Sequence, residues 1–288
     1  MRIPDLFRGG EPVFSFEFFL PKNESDLARF KETVRALKLL RPGFVTMTYG
    51  AGGSARERTI ETAGAIKNEL GLETAAHLTC VAHTPAEIAA LLGRIRSFGI
   101  ENIVALRGDL PKDLAPGAGP GPIPHAADLV RLIRSHGGSS VAVAAYPEKH
   151  PESPSPEEDL RRFREKTEAG ADWAITQLFF DNASYFDFTA RARAAGIAIP
   201  IVPGIMPVTN FKQLQKFTAM CGTRLPEPML RDLAPIADDP EAVLRYGIDY
   251  AVRQCRELLQ RGAPGIHFYT LNRSHATATI LERLREGG

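Results

Sequence analysis

The sequence predicts an α/β fold, specifically a (β/α)8 TIM-type barrel, on three observations. Short apolar runs alternate with amphipathic stretches along nearly the whole chain. Eight of those runs have strand length, and 288 residues suit one barrel core, which commonly reaches about 250 residues or more. A single barrel domain over residues 1–288 is therefore expected. The same βαβ units also build open doubly wound sheets, so the pattern alone leaves that architecture as a rival.

In chain order the strand candidates are Val13–Phe19, Phe44–Tyr49, Thr74–Cys80, Asn102–Arg107, Ser140–Ala145, Trp173–Phe180, Ile199–Gly204 and Gly265–Leu271. Between them Glu24–Leu40, Ala55–Leu70, Pro85–Phe98, Pro156–Ala169 and Glu241–Leu259 carry apolar residues near helical spacing. Helix starts are marked by Asn23 and Ser25, by Thr84-Pro85 and by Ser155-Pro156, and helix ends by Gly71, Gly99, Gly170 and Gly196. Two stretches break the alternation. Ala115–Pro124 is too rich in Pro and Gly for a helix or strand and reads as a surface loop after the fourth strand. Thr223–Asp239, with three prolines, reads as an extra helical segment between strands seven and eight.

Composition narrows the function. Lys+Arg at 35 against Asp+Glu at 34 leaves a formal charge of +1, which gives no electrostatic reason to expect nucleic acid or an anionic membrane. Small-molecule chemistry fits better. Cys80, Cys221 and Cys255 are odd in number and widely spaced, so neither a disulfide framework nor a thiolate zinc site is expected. The seven histidines form no compact ligand pattern, and no metal is expected. With no apolar leader in MRIPDLFRGGEP and no run of about 20 apolar residues, a cytoplasmic protein is expected.

A barrel places its active site at the C-terminal ends of the strands, and polar residues gather there. Glu17 is the sharpest. In Phe14-Ser15-Phe16-Glu17-Phe18-Phe19 the period of two puts Phe14, Phe16 and Phe18 on one face and Ser15, Glu17 and Phe19 on the other. With the phenylalanines packed outward, Glu17 points into the mouth, where a carboxyl among aromatics should have a raised pKa suited to a general acid. A structural glutamate paired with a barrel arginine such as Arg107 is the competing reading. Arg107 and Asp109 share a face around Gly108, which would allow close approach of a ligand; a turn with a self-satisfied ion pair is again the alternative. His77, on a strand, is ordinarily a hydrogen-bonded core histidine. No lysine lies in the strands, against a Schiff-base aldolase, and G-x-G-x-x-G is absent.

As a set, Ser15-Phe16-Glu17-Phe18-Phe19, Thr48-Tyr49-Gly50-Ala51, His77-Leu78-Thr79-Cys80, Leu106-Arg107-Gly108-Asp109, Ala145-Tyr146-Pro147-Glu148, His150-Pro151-Glu152, Ile175-Thr176-Gln177, Pro203-Gly204-Ile205 and His267-Phe268-Tyr269-Thr270-Leu271-Asn272-Arg273 strongly resemble the bacterial type of methylenetetrahydrofolate reductase, from about Val13 to Arg273. The resemblance implies non-covalent FAD, NADH or NADPH as donor and a folate substrate, in a ping-pong reduction of 5,10-methylenetetrahydrofolate to 5-methyltetrahydrofolate that supplies methyl groups for methionine. It also implies FAD contacts from Thr48, Tyr49, Ala51, His77, Arg107, Gly108, Asp109, His125, Ala126, Tyr146, His150, Asp159 and Lys166. Gln177, Gln213, Phe217 and Arg273 would meet folate or nicotinamide. Glu17 would protonate the leaving folate nitrogen, and Asp109 would stabilise the positive iminium.

His125 departs from the tyrosine common at that position, and the Pro/Gly loop before it is lengthened. A C-terminal regulatory domain responding to S-adenosylmethionine is not expected, whereas a homo-oligomer is. Competing functions are another FAD barrel such as proline dehydrogenase, a metal-free lyase or aldolase, and a non-catalytic flavin- or folate-binding barrel. Flavin reoxidation that depends on folate separates the first, and an absorbing chromophore the second.

Overall fold

The computed structural model describes all residues except Lys22, Glu24, 50–52, 110–120 and 287–288, with Ser25 and 53–56 described by their backbone alone. Strands and helices alternate as β1 (Val13–Phe18), α1 (Ser25–Lys38), β2 (Phe44–Met47), α2 (Gly53–Leu70), β3 (Thr74–Thr79), α3 (Pro85–Ser97), β4 (Asn102–Leu106), α4 (Ala126–Ser135), β5 (Ser140–Ala145), α5 (Pro156–Glu168), β6 (Trp173–Thr176) and α6 (Asn182–Ala194). There follow β7 (Ile201–Val202), β8 (Gly204–Ile205), α7 (Phe211–Cys221), α8 (Glu227–Leu233), α9 (Pro240–Gln260), β9 (Gly265–Tyr269) and α10 (His275–Glu286). All pairings are parallel, in the order β7-β6-β5-β4-β3-β2-β1-β9-β8.

The seventh barrel strand is thus two short pieces. Pro203 separates them because it has no N–H to donate. Before it, β7 pairs with β6; after it, β8 pairs with β9. The two pieces close the barrel, which decides between it and an open sheet. Gly204 makes the crossing possible, since a Cβ there would lie 2.4 Å from the Thr176 carbonyl oxygen and 2.7 Å from the Tyr269 hydroxyl.

The sixth strand ends at Thr176, short of the expected Phe180. Leu178 and Phe180 are apolar for another reason: they pack with Met206, Val208, Leu214, Met229, Leu233 and Val243 in a satellite core beneath α7, α8 and α9. The expected extra helix between the last two barrel strands is α8, followed by a 3-10 turn at Ala234–Ile236. Of the Pro/Gly loop, only 121–124 lies within the described residues.

Helix punctuation follows the sequence. Thr84 Oγ1 accepts from Glu87 N at 3.2 Å while Glu87 Oε2 accepts from Thr84 N at 2.7 Å, a reciprocal cap worth about 1 kcal/mol. Ser155 Oγ accepts from Glu158 N at 3.2 Å. Gly71, Gly99, Gly170 and Gly196 all have positive φ.

Two apolar layers flank the strands. Outside, Phe16, Phe18, Val45, Leu78, Ile103 and Val143 pack under the helices. Inside, Val13, Phe44, Ala75, Val104, Ala142, Trp173 and Val202 fill the lower barrel. The bottom is closed by a 3-10 helix, Ile3–Arg8, whose Phe7 packs on Phe44 and Trp173 at ring distances of 6.4 and 5.8 Å. Polar chemistry is left to the opposite end.

Candidate active site

Strand β1 carries its side chains as period two requires: Phe16 and Phe18 are buried outward, while Ser15 and Glu17 face the interior. Glu17 lines a cavity of about 420 Å³ at the C-terminal mouth. Thr48, Tyr49, His77, Tyr146, Gln177 and Phe217 line it too. Of the residues expected at the site, these seven converge on one space.

The surroundings of Glu17 differ from those expected. Its aromatic neighbours in sequence point away, and two imidazoles face it instead: His77 Nε2 lies 3.5 Å and His267 Nε2 3.6 Å from Glu17 Oε2. Thr46 donates its hydroxyl to the same oxygen at 3.5 Å. Burial on its own pushes the carboxyl pKa up, but the His267 contact, the electrostatic pull of both imidazoles and the Thr46 hydroxyl outweigh it. The net direction is down, which corrects the expected rise. Glu17 is an anion at rest. His77 is held below its ordinary value by burial, with Glu17 opposing and His267 reinforcing the shift, which favours the neutral imidazole.

Sequence reading missed His267 as a site residue. It comes into place by barrel closure, which sets Ser15 beside His267 in the β1–β9 ladder. Ser15 Oγ and His267 Nδ1 are 2.8 Å apart and fully buried. A signal was available: Ile266 and Phe268 are the outward residues of a buried strand, which leaves His267 and Tyr269 facing inward. Tyr269 donates to the Thr176 carbonyl at 2.5 Å, and its own pKa is driven up by burial and then by the nearby Glu17 charge. Asn272 was also missed as a site residue. Its amide exchanges hydrogen bonds with Phe19, N–H to Oδ1 at 3.1 Å and Nδ2 to the carbonyl at 2.7 Å, fixing the end of the strand that bears Glu17.

A second polar group lies behind Tyr146. Its ring meets His150 edge-on at 4.7 Å. Lys166, partly buried, donates to the Ala144 carbonyl at 2.6 Å, and burial lowers it to about 8 with Asp159 opposing. Asp159 is buried and pushed up for the same reason. Among the described residues no carboxylate comes within 4 Å of the Lys166 ammonium.

Arg107 pairs with neither Glu17 nor Asp109. It makes a two-pronged bond to Glu152, Nη1 to Oε2 at 2.5 Å and Nη2 to Oε1 at 2.7 Å. Gly108 is explained by its backbone: φ is +87°, and a Cβ would lie 3.0 Å from Thr79. Asp109 is exposed at the end of the β4 segment, within electrostatic reach of Tyr146 and Cys221. Gln213 lines a small recess adjoining the cavity. Arg273 is exposed and, like His125 and Ala126 at the start of α4, does not line the cavity. Ala51 lies outside the described residues.

This constellation of inward acid, flanking imidazoles and an amide-bearing strand end sits in a chain whose residues 2–285 match the family model for methylenetetrahydrofolate reductase. The chain belongs to the methylenetetrahydrofolate reductase family. It is 42% identical over 275 residues to 5,10-methylenetetrahydrofolate reductase of Escherichia coli (strain K12), covering 96% of this chain and 91% of that one. It is also 38% identical over 295 residues to methylenetetrahydrofolate reductase (NADH) 1 of Arabidopsis thaliana, covering 98% of this chain but 50% of that protein. The chain thus spans about half of the plant methylenetetrahydrofolate reductase. Among solved structures, an uncharacterized Clostridium thermocellum protein that binds two copies of 5-methyl-5,6,7,8-tetrahydrofolic acid shares the fold at TM-score 0.70 and 12% identity, over 99% of this chain and 98% of that one. No helix among the described residues is long and apolar enough to cross a membrane.

Proposed function

We propose that the mouth reduces 5,10-methylenetetrahydrofolate to 5-methyltetrahydrofolate, using NADH or NADPH through bound FAD, in a cytoplasmic homo-oligomer that supplies methyl groups for methionine. The observation that carries this reading is Glu17, an interior carboxylate lining the same cavity as Gln177 and Phe217, in a chain of this family.

The residues fit FAD. Lys166, without a carboxylate within 4 Å among the described residues, suits an acceptor-rich or anionic group, and His150 stands against the same Tyr146 ring. Tyr49, Leu106, Tyr146 and Ile175 offer flat and apolar walls for a ring system. Thr48, Tyr49, Ala51, His77, Arg107, Gly108, Asp109, His125, Ala126, Tyr146, His150, Asp159 and Lys166 would hold it. When bound, FAD would take hydride from the nicotinamide and give it to the folate.

The protein's part is positioning and proton control. Gln177 already accepts from Leu178 N through Oε1 at 2.9 Å, which turns its NH₂ end free to donate to a folate edge. Phe217, and with it Gln213 and Arg273, would hold the flat substrate ring. Glu17 rests as a carboxylate with 14% of its side chain exposed. A ligand seated in the cavity would displace that residual water, which disfavours the charged carboxylate, so Glu17 would take up one proton from solvent as substrate binds. The acid then forms where the folate nitrogen leaves. Asp109, exposed beyond the end of β4 and within electrostatic reach of Tyr146 and Cys221, would supply negative charge to favour the positive iminium.

The test is optical. Purified protein should absorb as a flavoprotein, bleach anaerobically with a reduced nicotinamide and recover its colour on adding methylenetetrahydrofolate. Recovery with a different electron acceptor but not with the folate would favour another flavin barrel. A colourless protein that cannot take up FAD would remove the reading.

A further inference from the structure

Glu148 is a carboxyl at the mouth that the chemistry above does not use. It follows Tyr146 and Pro147 beyond β5, and only 11% of its side chain is exposed. Its Oε2 accepts the backbone N–H of Arg224 at 2.9 Å, and its Oε1 lies 3.7 Å from Arg224 Nε. A buried carboxylate is costly to keep unless its contacts are specific, so the choice of partner is informative.

Arg224 stands three residues beyond the end of α7, and Thr223 before it is held as well. The Thr223 hydroxyl donates to the Leu178 carbonyl at 3.0 Å. Gly222 ends α7 in the left-handed region at φ +69°, close enough to the Pro151 ring that a Cβ would lie 3.1 Å from it. Two consecutive residues are therefore hydrogen-bonded to the loops after β5 and β6, and Gly222 packs close to one of those loops. Of the two hydrogen bonds, only that to Glu148 uses a charged side chain. The helix so held carries Phe217 and Cys221 into the cavity wall, and Phe217 with Gln213 into the adjoining recess.

We infer that Glu148 is a positioning residue: by gripping the Arg224 amide it sets α7 against the mouth and so fixes Phe217 over the substrate. This rests on the proposed folate-reducing site. Because the grip is a hydrogen bond to a backbone amide, an isosteric amide keeps an acceptor oxygen while alanine removes it. Glu148→Ala is expected to raise KM for methylenetetrahydrofolate about tenfold while kcat falls about twofold or less, the pattern of a binding group displaced without damage to the chemical step. Glu148→Gln should recover most of that loss. FAD affinity, read by flavin fluorescence, and the melting temperature should stay near wild type in both variants. The effect should also shrink in a Phe217→Ala background, since the two changes act on one contact.

Equal losses in kcat, KM, FAD affinity and melting temperature would make Glu148 a purely structural brace and overturn the inference. So would effects of Glu148→Ala and Phe217→Ala that simply add. An unaltered KM in Glu148→Ala overturns the inference alone and leaves the folate reading intact, whereas a wild-type protein that does not turn over the folate overturns both.

Discussion

At the residue scale, the behaviour of Glu17 is decided by neighbours far away in sequence. Period two along β1 correctly put its side chain inside, but a strand pattern says nothing about what stands across the ladder. His267 is 252 residues from Ser15 in the chain and reaches it only because the barrel closes. Hence the side of the strand was legible and the direction of the pKa was not. With its folded value below the ordinary carboxyl value, Glu17 adds stability at neutral pH that is lost as pH falls through the folded value. His77 is depressed by burial, so below about 6.5 the unfolded chain takes up a proton that the folded one refuses, and stability declines there as well. For His267→Ala, the strongest influence holding the carboxyl down is removed. The pH above which the folate step slows should then move upward, measured by single-turnover flavin reoxidation across pH. An unmoved profile would show that the imidazole does not govern Glu17.

At the scale of elements, most helices and strands were readable because caps, glycine stops and apolar spacing agree. The sixth and seventh strands were misread at their ends for separate reasons. The run through Phe180 is apolar because it feeds a satellite core, which hydropathy alone does not distinguish from a buried strand. The break at Pro203 depends on which partner each half pairs with, a property of closure. Gly204 is where that closure leaves no space. Gly204→Ala should cost about 2 kcal/mol through overpacking, since the new methyl meets the Thr176 carbonyl and the Tyr269 ring. Chemical denaturation measures this, and a stability change within about 0.5 kcal/mol would show that the seam is looser than described.

For the whole molecule, the two ends of the barrel have divided labour. The lower end is apolar and plugged by Ile3–Arg8, and the upper end gathers the titratable groups. Phe7→Ala, which withdraws the plug's ring from Phe44 and Trp173, should destabilise the protein by about 2 kcal/mol, less than the loss of a fully buried phenylalanine. FAD affinity should be unchanged, because the plug is remote from the mouth; a fall in both would mean that the ends are coupled. The strand-end motifs made the candidate site largely visible from sequence, since barrels place function there. The exposed positions of His125 and Arg273, off the cavity wall, could not be read the same way, because loop placement is not periodic.

The most direct measurement is the pair of half-reactions of Glu17→Gln, followed anaerobically by flavin absorbance. Reduction by NADH or NADPH should proceed at close to the wild-type rate, while reoxidation by methylenetetrahydrofolate should slow by about 10² or more, the usual weight of a lost general acid. Equal slowing of both halves, or a folate step that survives unchanged, would contradict the assignment of Glu17 as the proton donor.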